Sequence, residues 1–160
     1  MADADADFAA YFAGRVTALR RTAYALCGNW HTADDLVQAT FVKVYPKWWR
    51  VRTGETDAYV RRTLINTYLS LLRKQRRETV VAVVPDRPAP PVDLHDDLLR
   101  ALRELPPKQR AVVVLRHLDD LSIAEVARIL QVAEGTVKSQ SNRAIAALRA
   151  SMTLAASRER

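Results

Sequence analysis

Four prolines, Pro85, Pro88, Pro90 and Pro91, fall between Val80 and Val92. Each removes a backbone donor and fixes φ near the extended region, so neither a helix nor a sheet ladder can run through the segment. On both sides apolar residues recur at helical spacing, and the whole chain of 160 residues holds only four glycines. The proline segment therefore divides the chain, and the expectation is an all-α protein of two small helical domains, residues 1–78 and 93–155, joined by a linker over 79–92. The apolar run Val80 to Val84 could be a buried strand, but no second strand pattern is present to pair with it.

In the first half, Phe8, Phe12, Val16, Leu19, Ala23 and Leu26 line one side of a helix from about Phe8 to Cys27, with Gly28 as its C-terminal cap. A second helix is expected after Thr32, which can cap amides near Asp35, and Pro46 stops it near Tyr45. From Asp57 to Arg77, Val60, Leu64, Tyr68 and Leu71 share one face, while Arg62, Asn66, Ser70, Arg73 and Arg77 share another. In the second half a helix from about Asp93 to Leu105 ends at Pro106, and Pro107 opens the next, which reaches Leu118. Ser122 and Glu125 form a capping box for Ile123 to Leu130; a short break at Gln131 to Glu134 follows, and a further helix runs from Gly135 past Leu148. That spacing is helix-turn-helix, with Ala124, Val126, Ala127, Ile129, Leu130, Val132, Val137 and Ile145 as its expected core.

The net charge of +7 is not spread evenly. Residues 47–77 alone carry nine basic and two acidic groups, so this one stretch holds the excess. A concentrated cation surface points to a polyanionic partner, because phosphates reward Lys and Arg through counterion release. Lys47, Arg50, Arg52, Arg61, Arg62, Arg73, Lys74, Arg76 and Arg77 are interleaved with Trp48, Trp49, Tyr59 and Tyr68. Cations beside aromatic faces suit single-stranded nucleic acid, where unstacked bases need a platform. The plain alternative is a solvated charged face over a core of aromatics; it is the better reading for Tyr68 on the apolar stripe and stands level for Trp48 and Trp49. At least one of these adjacent tryptophans must point away from any single core.

In a helix-turn-helix the second helix offers its early residues to the major groove, which selects Thr136, Lys138, Ser139, Gln140, Asn142 and Arg143. Asn and Gln can pair with adenine edges, and Arg and Lys with guanine or phosphate. Catalytic patterns are missing from the sequence. His31, His95 and His117 are scattered, no Gly-rich phosphate loop occurs, and Asp34 and Asp35, being adjacent, diverge on a helix, where first-turn charge is their plain role. No enzyme, cofactor or metal is expected. The single cysteine, Cys27, reads as a small core residue, and with an acidic N-terminal stretch and no long apolar run the expected location is the cytoplasm, without membrane insertion.

The run Asp34-Asp35-Leu36-Val37-Gln38 followed by Thr40-Phe41 resembles region 2.2 of sigma-70 family transcription initiation factors. Leu105-Pro106-Pro107-Lys108-Gln109-Arg110 and Gly135-Thr136-Val137-Lys138-Ser139 resemble the start and the recognition helix of their region 4. With Ala58-Tyr59-Val60-Arg61-Arg62 and Asn66, the resemblance spans residues 8–150, and the layout is similar to the extracytoplasmic-function (ECF) type, which keeps only domains sigma-2 and sigma-4; the segments from Tyr45 to Arg52 and from Ala58 to Asn66 are similar to the actinobacterial SigE-type group. The resemblance implies that Asp34, Asp35, Gln38 and Phe41 bind the beta-prime clamp helices of core RNA polymerase, with the beta flap as a second polymerase contact. It implies that Trp48, Trp49, Arg50, Arg52, Arg61, Arg62 and Asn66 capture the non-template strand of the -10 element, and that the recognition helix reads -35 duplex. The linker would pass through the RNA channel region, and an anti-sigma factor is a candidate partner.

Five positions depart from the family pattern: Ala39 for Glu, Ser70 for Asp, Gln131 for the turn Gly, Ala133 for a Ser cap, and Gln140 for Arg. A left-handed Gln131 would add strain of about 1 kcal/mol. Two other functions are compatible with parts of the sequence. A helix-turn-helix regulator binding an operator alone would account for Ser122 to Arg149 but leave the basic segment and the Asp34 to Gln38 motif without a task. A helical adaptor binding only protein would lose little on neutralising Arg61 and Arg62.

Overall fold

The computed structural model describes residues 2–77 and 96–160; the segment expected as a linker lies outside the described residues. Among those described, all regular structure is helical. Helix α1 (Ala2–Cys27) starts earlier than its apolar pattern. Asp3 and Asp5 favour the N-terminal end of the helix dipole, and Asp5 and Asp7 find partners on the segment after the second helix. The helix ends at Gly28, whose φ of 73° is the left-handed conformation that only glycine adopts freely. Its N–H donates to the Tyr24 carbonyl at 2.7 Å.

Helix α2 (Trp30–Val44) is capped by Asn29, whose side chain accepts from the Thr32 N–H at 2.9 Å. Thr32 was expected to be the cap. The helix instead begins two residues earlier because Asn29 follows directly on Gly28 and is a strong capping residue itself. Asp34 and Asp35 consequently lie beyond the first turn. Pro46 sits in a 3-10 turn, Tyr45–Lys47, leading into the single turn α3 (Trp48–Val51). Helix α4 (Thr56–Arg77) buries Val60, Leu64, Ile65 and Tyr68.

In the second half, α5 (Asp96–Glu104) and α6 (Pro107–Val113) precede a π turn, Val114–Leu118, where a plain helix to Leu118 was expected. The capping box at Ser122 and Glu125 is present with both hydrogen bonds, and α7 (Ile123–Leu130) packs against α8 (Glu134–Arg158). Val126, Ala127, Ile129 and Val137 form the buried centre of this pair. Ala124 is exposed and Val132 is 40% exposed, contrary to expectation. The reason is Gln131: at φ 57° it reverses the chain and turns Val132 outward.

One contiguous core joins both halves. At its seam the Arg110 guanidinium donates to the carbonyls of Leu26, Arg103 and Leu105 and to the Tyr68 hydroxyl, at 2.7 to 2.9 Å. Beside it, Arg103 donates to the Gly28 carbonyl, and a Cβ on residue 28 would overlap that guanidinium. Gly28→Ala should therefore lower the unfolding free energy by about 2 kcal/mol, left-handed strain adding to the displacement of Arg103. Gln131→Gly should raise it by about 0.5 kcal/mol, the relief of strain exceeding the added chain entropy. Urea unfolding of the two variants beside the parent chain measures both.

Candidate nucleic-acid interfaces

Helix α2 turns Asp35, Gln38 and Val42 outward; at steps of three and four they form one stripe. Val42 is 72% exposed, an unusual state for a valine that the sequence reading missed although its spacing from Gln38 placed it on this face. Asp35 has only a weak partner, His31 at 3.5 Å, whereas Asp34 is held by Arg20 in two contacts of 2.5 and 3.4 Å. Phe41 is 3% exposed and packs on Phe8, so it serves the core rather than the surface that the resemblance implied. In a helix whose 36, 37, 40 and 41 positions all face inward, no outward orientation is open to it.

The adjacent tryptophans separate as their angular offset requires. Trp48 is 4% exposed, set against the rings of Phe8 and Tyr11, and its indole N–H donates to Asp7 at 3.2 Å. Trp49 is 72% exposed and is the aromatic available as a platform. Arg50 is exposed, Arg52 lies 3.5 Å from Asp7, and the Tyr45 hydroxyl donates to Asp5 at 2.6 Å. The acidic start of α1 thus lies against the segment predicted to meet a strand. Tyr68, by contrast, is core, as its place on the apolar stripe indicated.

The entry to α4 is fixed by Asp57, which accepts from the Tyr11 hydroxyl at 2.6 Å and from Arg15 at 3.1 Å. Burial acts to raise its carboxyl pKa, but the hydrogen bonds and charge of Arg15 and Tyr11 outweigh it and hold the group below its ordinary range. One turn on, Arg61 and Arg62 turn toward the other half of the molecule. Arg61 lies 3.3 Å from Asp119, a carboxylate only 7% exposed that also accepts from the Thr22 hydroxyl at 2.7 Å. Burial pushes the Asp119 carboxyl above its ordinary value, with Thr22 and Arg61 opposing. Arg62 donates to the Arg128 and Ile129 carbonyls at 2.8 and 3.3 Å, satisfying acceptors at the end of α7. Asn66, Arg73, Lys74, Arg76 and Arg77 continue along exposed positions.

On α8, Thr136, Lys138, Ser139, Asn142 and Arg143 are exposed around the buried Val137 and Ala144. Ser139 donates to the Gly135 carbonyl at 2.9 Å. Gln140 differs: it lines a cleft with Leu69, Leu72, Arg73 and Arg76 of α4, and its Oε1 is buried without a partner. Among the described residues no His, Cys, Asp and Glu cluster could hold a metal, and no helix is long and apolar enough to cross a membrane. Burial raises the Cys27 thiol to about 11, which keeps it protonated and unreactive near neutrality.

Residues 12–78 match Sigma-70 region 2 and residues 95–148 match Sigma-70, region 4. The chain is 38% identical over 149 residues to an RNA polymerase sigma-E factor of Streptomyces coelicolor, covering 89% of this chain and 84% of that protein. It is 36% identical over 135 residues to the ECF RNA polymerase sigma factor SigE of Mycolicibacterium smegmatis, covering 77% of this chain and 52% of that one. In structure it is similar to the sigma factor RpoE solved in complex with the anti-sigma factor NepR from Bartonella quintana, with a TM-score of 0.74, 30% identity, and 92% and 97% of the two chains covered.

The depressed Asp57 carboxyl has a consequence for pH. A group whose pKa is lowered on folding contributes stability above its unfolded pKa, about 3.9, and loses it as pH falls through the folded value. Asp57→Asn should therefore lower the melting temperature at pH 7 and narrow its gap to the parent chain toward pH 3. Thermal melts across that range measure the gap.

Proposed function

The chain belongs to the sigma-70 family of RNA polymerase sigma factors, in its ECF branch, and from that premise we propose that it directs core RNA polymerase to promoters through three separate surfaces. The observation that carries this reading is the recognition-helix start, Thr136 to Arg143, exposed on a complete helix-turn-helix and distant in sequence from the basic α4 surface. Thr136, Lys138, Ser139, Asn142 and Arg143, with Gln140 once it leaves its cleft, read the -35 element as duplex. Donor and acceptor patterns in the major groove require paired bases.

Trp49, Arg50, Arg52, Arg61, Arg62 and Asn66 capture the -10 non-template strand. The exposed indole provides the stacking face and the arginines track the backbone. Capture shifts the melting equilibrium without bond chemistry, so no catalytic group or cofactor is needed. Asp35, Gln38 and Val42 dock on the clamp helices of the beta-prime subunit, a small apolar contact rimmed by a charge and an amide. The helix-turn-helix half contacts the beta flap, and work with polymerase places the protein in the cytoplasm. The printed complex of the Bartonella relative with an anti-sigma factor supports such a partner for this chain as well.

Two experiments test the assignment. Asp35→Arg should weaken core-polymerase binding while the thermal melt stays unchanged, since an exposed charge contributes little to stability; co-purification with core enzyme at the parent level counts against docking there. Arg143→Ala should cost about 1 to 3 kcal/mol at the upstream element when the guanidinium reads a base. Arg61→Ala with Arg62→Ala should spare upstream binding and reduce opening. A pre-melted downstream bubble should restore part of the second defect and none of the first, read by permanganate reactivity of unpaired thymines. Identical responses of the two variants would refute the division between duplex reading and strand capture.

A further inference from the structure

Arg61 and Arg62 have protein partners in this structure, and those partners belong to the other half of the chain. Arg61 pairs with Asp119, in the turn that precedes the helix-turn-helix, and Asp119 is also bound by Thr22 of α1. Arg62 is engaged by the terminal carbonyls of α7. A third contact, Arg128 to Glu55 at 2.9 Å, joins α7 to the loop before α4. The cleft between that loop and α7 is lined by Trp48, Arg52, Arg61, Glu125 and Arg128, so α7 stands over the approach to the strand-capture surface. A guanidinium bound to Asp119 or to the α7 carbonyls cannot simultaneously hold a phosphate in the same direction.

We propose that Asp119 is an interdomain latch that makes Arg61 and Arg62 a two-position switch, bound to the helix-turn-helix half in the closed chain and free for the DNA strand only after the halves separate. This rests on the strand-capture role proposed above for the two arginines. The carboxylate suits a latch because it is almost fully buried yet bound by one neutral and one cationic donor, each from a different helix of the first half. Breaking one contact leaves a buried charge short of partners, so the turn is held or released as a unit. Asp120, at φ 54°, fixes the backbone direction immediately after it. A closed population of about 90% lowers apparent strand affinity about tenfold.

The test uses the full chain with Cys27→Ala, Thr22→Cys and Asp119→Cys, two positions whose side chains already touch and which lie outside the DNA and polymerase surfaces. Oxidation locks the halves together; reduction leaves the same chain without its latch. A fluorescent single-stranded DNA oligonucleotide should bind the reduced chain about tenfold more tightly than the oxidised one, and amide hydrogen exchange in α7 should be faster in the reduced chain without DNA. Equal exchange in the two states would overturn the latch. Faster exchange with unchanged DNA affinity would leave the latch and strike the strand-capture reading of Arg61 and Arg62. Should the double-cysteine chain not fold, Asp119→Asn decides by the same exchange measurement: protection of α7 equal to that of the parent overturns the proposal.

Discussion

The junction of the two halves depends on a guanidinium at a helix end. Helix α1 ends with carbonyls that no further turn can satisfy, and Arg110 of α6 supplies the donor to Leu26 while the same plane serves Arg103, Leu105 and Tyr68. A planar fork of five donors can do this; a lysine, with a single point of charge, cannot reach such divergent acceptors at once. The positive charge also lies at the negative end of the α1 dipole, so geometry and electrostatics agree. Arg103 repeats the arrangement at Gly28, which is why that position tolerates no side chain.

At the opposite end of the seam the same chemistry runs between Arg62 and the end of α7. The contacts differ in what else their donors could do. Arg110 is enclosed by protein acceptors, whereas Arg61 and Arg62 lie on the helix whose outer face continues into Asn66 and Arg73. One end of the seam is therefore structural, and the other coincides with the surface proposed to meet DNA. Apolar burial is shared across the seam, yet the polar contacts decide the orientation of the two halves, since hydrogen bonds are directional and burial is not.

Features set by neighbouring residues were legible in the sequence. The Ser122 and Glu125 box, Gly28 at the end of α1, the apolar stripe through Val60, Leu64 and Tyr68, and a left-handed Gln131 each depend on a few adjacent positions. Features set by distant residues were not. Thr32 and Asn29 are both competent caps, and only the reversal at Gly28 decides between them. Trp48 and Trp49 have the same composition and opposite fates, because Phe8 and Tyr11 arrive from forty residues away. The conserved look of Phe41 suggested a surface role where packing on α1 requires a core one, and the exposed Val42 beside it carried no signal beyond its spacing. The internal partners of Arg61 and Arg62 were equally hidden, as charge patterning gives the sign of a surface and never its occupant.

The π turn at Val114–Leu118 accommodates one residue more than an α-helix of the same rise would hold. Loss of a single codon in this stretch would leave the composition, the apolar pattern and the capping box intact while rotating everything downstream by about a hundred degrees. Asp119 would swing away from Thr22, and the recognition helix would face another direction relative to α1. Among relatives of this chain, insertions and deletions should thus be rarer in this short turn than its lack of functional side chains would suggest, because it sets a phase angle between two halves of a molecule.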